Sequence, residues 1–193
     1  VEVVGAEYCD LLKNPDFSGL FFAGHIANWE IVPLAGTRRG LNVHIVYRRA
    51  NNPFFDTLVQ KGRKPLGAVL FPKGSEGVKD IMRALKRGEN LAMLVDQKMN
   101  DGISVPFLGR QAMTAPALAE LAPKNNCPIV PARVERLKGT SFRVTFYPPL
   151  EKPNTGDRKS DILAIMTEVN QQLGNWIKAR PEQWLWVHNR WPD

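Results

Sequence analysis

Short apolar runs alternate along this chain with longer stretches whose apolar positions recur at helical spacing. Runs such as Leu20-Phe21-Phe22-Ala23 and Leu91-Ala92-Met93-Leu94-Val95 predict strands, and the full pattern places strands near 19–23, 42–47, 67–71, 90–95, 128–134 and 141–147. Helices are predicted near 28–38, 53–64, 76–87 and 115–124, with a longer one near 160–179. That alternation implies an α/β fold, a mostly parallel central sheet flanked by helices. Local signals agree: Asn52-Pro53 places a cap and then proline at a helix start, Gly88 follows a helix carrying Lys86-Arg87, and Ser160-Asp161 opens the last helix. Gly139-Thr140 reads as the turn between two antiparallel strands, and Val105-Pro106-Phe107-Leu108-Gly109 as part of a long loop.

With 193 residues, 44% hydrophobic and 23% charged, the chain reads as one globular domain spanning 1–193, long enough to bury a substantial core. Its net charge of +7 and pI near 9.6 suit an anionic partner: phospholipid headgroups, nucleic acid or an acidic protein. Charge alone does not choose among them, and no nucleic-acid motif is present. Cys9 and Cys127 are too few for a disulfide framework, and three scattered histidines without paired cysteines argue against a metal site. No cofactor motif stands out. No apolar run reaches the roughly 18 residues of a membrane span, and the first residues do not resemble a signal peptide. The sequence begins at Val1 rather than methionine, which leaves an upstream membrane anchor open.

Ligands of open parallel sheets gather at the carboxyl ends of the strands, so the residues just past each strand come first as candidate chemistry. His25 follows the first of the strands named above, Arg48-Arg49 the second, Lys73 the third and Asp96-Gln97-Lys98 the fourth. A histidine near its unperturbed pKa of about 6.5 accepts a proton at neutral pH, and a carboxylate partner fixes its tautomer. His25 and Glu30 form a candidate dyad of that kind. Residues five apart on an ideal helix point about 140° away from each other, so the two meet only if His25 precedes the helix, which a turn at Gly24 permits. The same spacing also suits a surface ion pair or a carboxylate at a helix start. Solvation is the competing reading for Arg48, Arg49 and Lys64, and capping of its own loop for Asp96. Ser75 is expected to cap the next helix, His44 to be structural, and Trp184 and Trp186 to pack the chain end against the core.

Taken together the motifs resemble the lipid A biosynthesis acyltransferases of the lauroyl/myristoyl type, within the lysophospholipid acyltransferase superfamily. The resemblance runs from about Gly19 to Pro192. It rests on Gly24-His25-x-x-Asn28-Trp29-Glu30, Val46-Tyr47-Arg48 with Asn52-Pro53-x-x-Asp56 leading to Arg63, and Asp96-Gln97 with Val105-Pro106-Phe107-x-Gly109 and Ala112-x-Thr114. Pro128-x-Val130-Pro131 and Pro181-Glu182-Gln183-Trp184-x-Trp186-x-His188-x-Arg190-Trp191 complete it. The resemblance implies an acyltransferase-like domain without cofactor or metal, with His25 and Glu30 as the family's catalytic dyad. It implies substrate-binding roles for Asn28, Arg48, Arg63 and Asp96. Phe71-Pro72-Lys73-Gly74 lacks the glutamate and arginine of the corresponding glycerol-phosphate acyltransferase block, and Asn189 stands where the family often has arginine. The family normally carries an N-terminal membrane helix, for which this sequence offers no candidate, so a truncated or processed chain is expected.

The implied reaction moves an acyl chain from a thioester on acyl carrier protein to a hydroxyl of a hydroxyacyl chain on a lipid A precursor. The implied place of work is the anionic cytoplasmic face of the bacterial inner membrane. A glycerol-phosphate or glycolipid acceptor, and an inactive lipid-binding module, are the rival readings.

Overall fold

The computed structural model describes residues 1–14, 16, 18–124, 127–186 and 189–191; the side chains of Ser75, Glu76, Pro123 and Lys124 are not described. The capping expected of Ser75 and the motif position of His188 therefore lie outside what it describes. The elements run β1 Glu2–Val4, α1 Ala6–Asp10, β2 Leu20–Ala23, α2 Ile31–Arg38, β3 Val43–Tyr47, α3 Pro53–Arg63, β4 Val69–Pro72, α4 Ser75–Lys86 and β5 Asn90–Leu94. They continue with β6 Lys98–Phe107, β7 Arg110–Thr114, α5 Ala117–Lys124, β8 Ile129–Arg136, β9 Phe142–Phe146 and α6 Arg158–Ala179. A seven-stranded sheet has the order β1-β9-β8-β2-β5-β3-β4, parallel except where β9 returns antiparallel to β8 through the turn at Gly139. The predicted α/β class and the antiparallel pair are both present.

Strand β2 is central and buried along its whole length, and the two-residue period of a strand sends its side chains to two separate cores. Leu20 and Phe22 enter the layer built with Leu91, Ile129, Ile165, Met166, Leu173 and Trp176, the side covered by α4, α5 and α6. Phe21 and Ala23 enter the other, with Ile31, Val32, Val130, Val144 and Phe146, covered by α1 and α2. Burying a phenylalanine contributes about 1.5–3 kcal/mol, so Phe21 and Phe22 pin opposite layers to one strand.

Three sequence expectations are corrected. The helix predicted from residue 28 begins at Ile31, because Ala27 takes a left-handed conformation (φ 51°) and the chain turns through Asn28 and Trp29 before it coils. The stretch read as a long loop after residue 96 is instead the β6–β7 hairpin, closed by Leu108 and Gly109, both at positive φ (52° and 84°) between paired Phe107 and Arg110. Positive φ at both central residues suits the twist of a tight hairpin, but leucine rarely accepts it. Leu108 is held there by packing onto Gly174 of α6, where an added Cβ would lie 3.3 Å from its side chain. Thirdly, β1 and α1 precede every predicted element. Among the described residues no helix is long and apolar enough to cross a membrane.

Candidate active site

Pairing register delivers the key residues together. In β2 and β5, Ala23 lies opposite Leu94, so two residues further on His25 and Asp96 leave the sheet side by side. Gly24 matters less for backbone freedom than for room: a Cβ there would stand 3.0 Å from Leu173 and 3.4 Å from the Asp96 carboxylate. The His25 ring meets that carboxylate through Nδ1, 2.7 Å from Oδ1, while the His25 backbone N–H donates to Oδ2 at 2.9 Å. The Trp184 indole N–H donates to the same Oδ2, also at 2.9 Å.

Burial pushes the Asp96 carboxyl up, but the His25 ring, the His25 backbone N–H and the Trp184 indole outweigh it and hold the group below the usual carboxylate range. An ionised Asp96 accepts the Nδ1 proton and leaves Nε2 as the basic nitrogen. Gln97 stands at that nitrogen, its amide donating from 3.2 Å, and Trp29 presents its ring edge to the imidazole with centroids 4.9 Å apart.

The segment that follows α6 completes this arrangement. Ala27 N–H donates to the Gln183 carbonyl and Leu185 N–H to the His25 carbonyl, an antiparallel bridge between Ile26 and Trp184. Trp184 packs against Phe107 of the hairpin, and Trp186 stacks on Trp184 while staying largely exposed. Packing thus describes Trp184 well and Trp186 only in part. Arg190 is fully buried, donating to the Met113 carbonyl and to Thr114 Oγ1, both at 2.7 Å, with its guanidinium over the Phe107 ring. Burial lowers its pKa and the nearby Asp96 opposes that shift.

Glu30 occupies a second pair. It sits at the start of α2 and accepts from Arg63 at the end of α3, with Arg63 Nε 3.0 and 3.1 Å from its two oxygens and Nη2 on the same carboxylate. The imidazole partner expected of Glu30 is therefore supplied by Asp96, and Glu30 holds a guanidinium instead. Asn28 is half-buried in the turn before α2, its carbonyl accepting from Ile31. Arg48 is exposed ahead of α3 and donates to Asn51 at 3.3 Å, apart from both pairs. His44 is buried in β3, bonded to Glu89 at 2.6 Å and stacked on Phe71, as expected of a structural residue. Beside Ala27 opens a cleft of about 490 Å³ lined by Arg136, Leu137, Arg180, Glu182 and Gln183.

Gln97, Trp184 and Arg190 gained no site role from sequence. Gln97 carried a usable signal, adjacency to a strand-end aspartate; nothing local marked the other two as reaching a carboxylate or hairpin 76 or more residues away.

At the carboxyl edge of the parallel sheet the structure thus brings together a partly buried imidazole, the buried carboxylate that holds it and an adjoining cleft with two arginines, an arrangement of the kind acid–base enzymes use. Over residues 1–193 the chain matches the family described as bacterial lipid A biosynthesis acyltransferase, and it belongs to that family. It is 22% identical over 189 residues to the lipid A biosynthesis myristoyltransferase of Escherichia coli (strain K12), covering 97% of this chain and 57% of that protein. It is 28% identical over 150 residues to the lipid A biosynthesis lauroyltransferase of the same organism, covering 75% and 47% respectively. With the lipid A biosynthesis acyltransferase 1 of Shigella flexneri it shares 22% over 185 residues, 95% of this chain and 56% of that protein. The chain thus spans about half the length of the curated relatives it matches.

Proposed function

We propose that residues 1–193 form one acyltransferase domain that moves a fatty acyl group from an acyl thioester, with acyl carrier protein as donor, to a hydroxyl of a hydroxyacyl chain on a lipid A precursor. The observation that carries the reading is the His25 imidazole, held through Nδ1 by buried Asp96 so that Nε2 is left to act as a base. The substrate hydroxyl takes the place of Gln97 at Nε2 and gives up its proton. The resulting alkoxide attacks the thioester carbonyl. Collapse of the tetrahedral intermediate breaks the C–S bond, and the departing thiolate takes the proton back from the imidazolium. Asp96 stabilises the imidazolium in between, and no acyl-enzyme is formed.

Glu30 serves this reaction through Arg63. Its carboxylate takes up Nε and Nη2, which fixes the guanidinium in place for a phosphate of the acceptor or the oxyanion of the intermediate. Asn28 and Arg48 contribute acceptor contacts at the same sheet edge. The cleft with Arg136 and Arg180 suits a phosphate-bearing reactant, and the +7 chain steers the acidic carrier protein. The place of work is the cytoplasmic face of the inner membrane. The relatives named above, a myristoyltransferase and a lauroyltransferase among them, support the acyl-transfer reading.

Mass spectrometry of lipid A from cells with and without the gene tests it. Loss of one secondary acyl chain, restored by the wild-type gene and not by His25→Ala, is the expected result. Lipid A unchanged by deletion sinks the proposal, and restoration by His25→Ala reduces the chain to a binding module.

A further inference from the structure

Helix α3 is built inside out. Asp56 is buried and Arg63 half-buried on its inner side, and the exposed Gln60 reaches over to them: Asp56 accepts from Ala50 N–H at 2.9 Å and from Gln60 at 2.6 Å, Gln60 also donates to the Tyr47 hydroxyl, and Arg63 pairs with Glu30. The opposite side carries Phe54, Phe55 and Leu58, which are 80%, 55% and 56% exposed. At 3.6 residues per turn these three lie within an arc of about 100°, one continuous apolar stripe. A surface helix ordinarily buries its apolar stripe and exposes its polar one, and a cluster of large exposed side chains marks a contact surface rather than chance.

Charge says which contact. Asp56 is the one carboxylate of α3 and it faces inward, whereas Lys61 and Lys64 are exposed at the far end of the helix and Arg48 ahead of its start. Apolar side chains rimmed by cations fit an anionic lipid surface. We propose that this face of α3 seats the protein on an anionic bilayer, with Phe54, Phe55 and Leu58 in the boundary between headgroups and acyl chains and Lys61, Lys64 and Arg48 on the lipid phosphates. Arg63, on the same helix, grips Glu30 of the site, so seating α3 sets the carboxyl edge of the sheet close to the membrane surface. Seating goes beyond the acyl-transfer reading and does not require it, because it is measured without turnover.

The test uses the full-length protein with one introduced cysteine, Leu58→Cys, carrying an environment-sensitive nitrobenzoxadiazole label. Cys9 and Cys127 are fully buried, which directs labelling to the new site. Adding vesicles of phosphatidylethanolamine and phosphatidylglycerol should shift the emission to the blue and shield the label from aqueous iodide. Pure phosphatidylcholine vesicles should do so at least about tenfold less well at equal lipid. A label at Gln171→Cys on α6 should report water throughout. A Phe54→Ser/Phe55→Ser change placed in the labelled Leu58→Cys protein should weaken shielding at least about tenfold with an unchanged thermal melt. A Leu58 label that stays wet on anionic vesicles overturns the proposal. So does one already shielded without lipid in a species that light scattering shows to be a dimer, for then a second copy covers the face. Seating without acyl transfer would keep this inference and reject the proposed reaction; transfer without seating would do the reverse.

Discussion

Two carboxylates face two bases at the same edge of the sheet, and they are built differently. Asp96 is 2% exposed in its side chain and accepts three N–H donors from an imidazole, a backbone amide and an indole; Glu30 is 29% exposed and, among the described residues, accepts from Arg63 alone. A carboxylate that is buried and fully donated has one orientation and a strong field, so it can fix a tautomer and stabilise a charge that appears only during reaction. A carboxylate that shares solvent with a guanidinium holds the cation in place but is screened, and the pair is worth far less. The difference supports the proposed division, in which the first pair handles the proton and the second the substrate's negative charge.

That assignment is open to attack at each residue. His25→Ala should cut acyl transfer by about 10³–10⁴ while far-ultraviolet circular dichroism shows the fold retained. Asp96→Asn should cost roughly 10²–10³ in kcat, because the imidazolium that forms during the reaction loses its counter-charge. Glu30→Gln should cost about tenfold, chiefly in KM for the phosphorylated acceptor. A kcat loss in Glu30→Gln, with none in Asp96→Asn, would exchange the two roles. Trp184→Phe removes one donor to Asp96 and should lower stability by about 1.5–3 kcal/mol in denaturant titrations. The smallest effect is on the pH dependence of folding. Since Asp96 is held below the usual carboxylate range, its stabilisation is complete above that range and is lost as pH falls through the depressed folded-state value. Thermal melts of wild type should therefore fall in acid more steeply than those of Asp96→Asn.

The central strands were legible because their apolar runs are uninterrupted: β2 and β5 fall within a residue of the stretches predicted around Phe21 and Ala92. The cap at Asn52 was equally local, and its side chain accepts from Phe54 N–H as the Asn-Pro pair implied. The hairpin was hidden because its turn uses Leu108, a residue whose own preference opposes the conformation and which owes it to Gly174 far along the chain. The candidate site divided in the same way. His25, Glu30, Arg63 and Asp96 could each be picked out from their places after strands or at helix ends, but which carboxylate meets the imidazole depends on the β2–β5 register, which joins positions 71 residues apart. Spacing along the chain favoured Glu30, and pairing across the sheet gives Asp96.

The bridge between Ile26 and Trp184 has a consequence in time. During synthesis His25 emerges 71 residues before Asp96, and the indole that completes the Asp96 hydrogen bonds follows that carboxylate by another 88. A growing chain carries both partners long before it can lock them, so the site assembles only when residues 183–185 fold back onto the His25 loop. Arrest of translation before that point would leave a sheet with its chemistry unfinished.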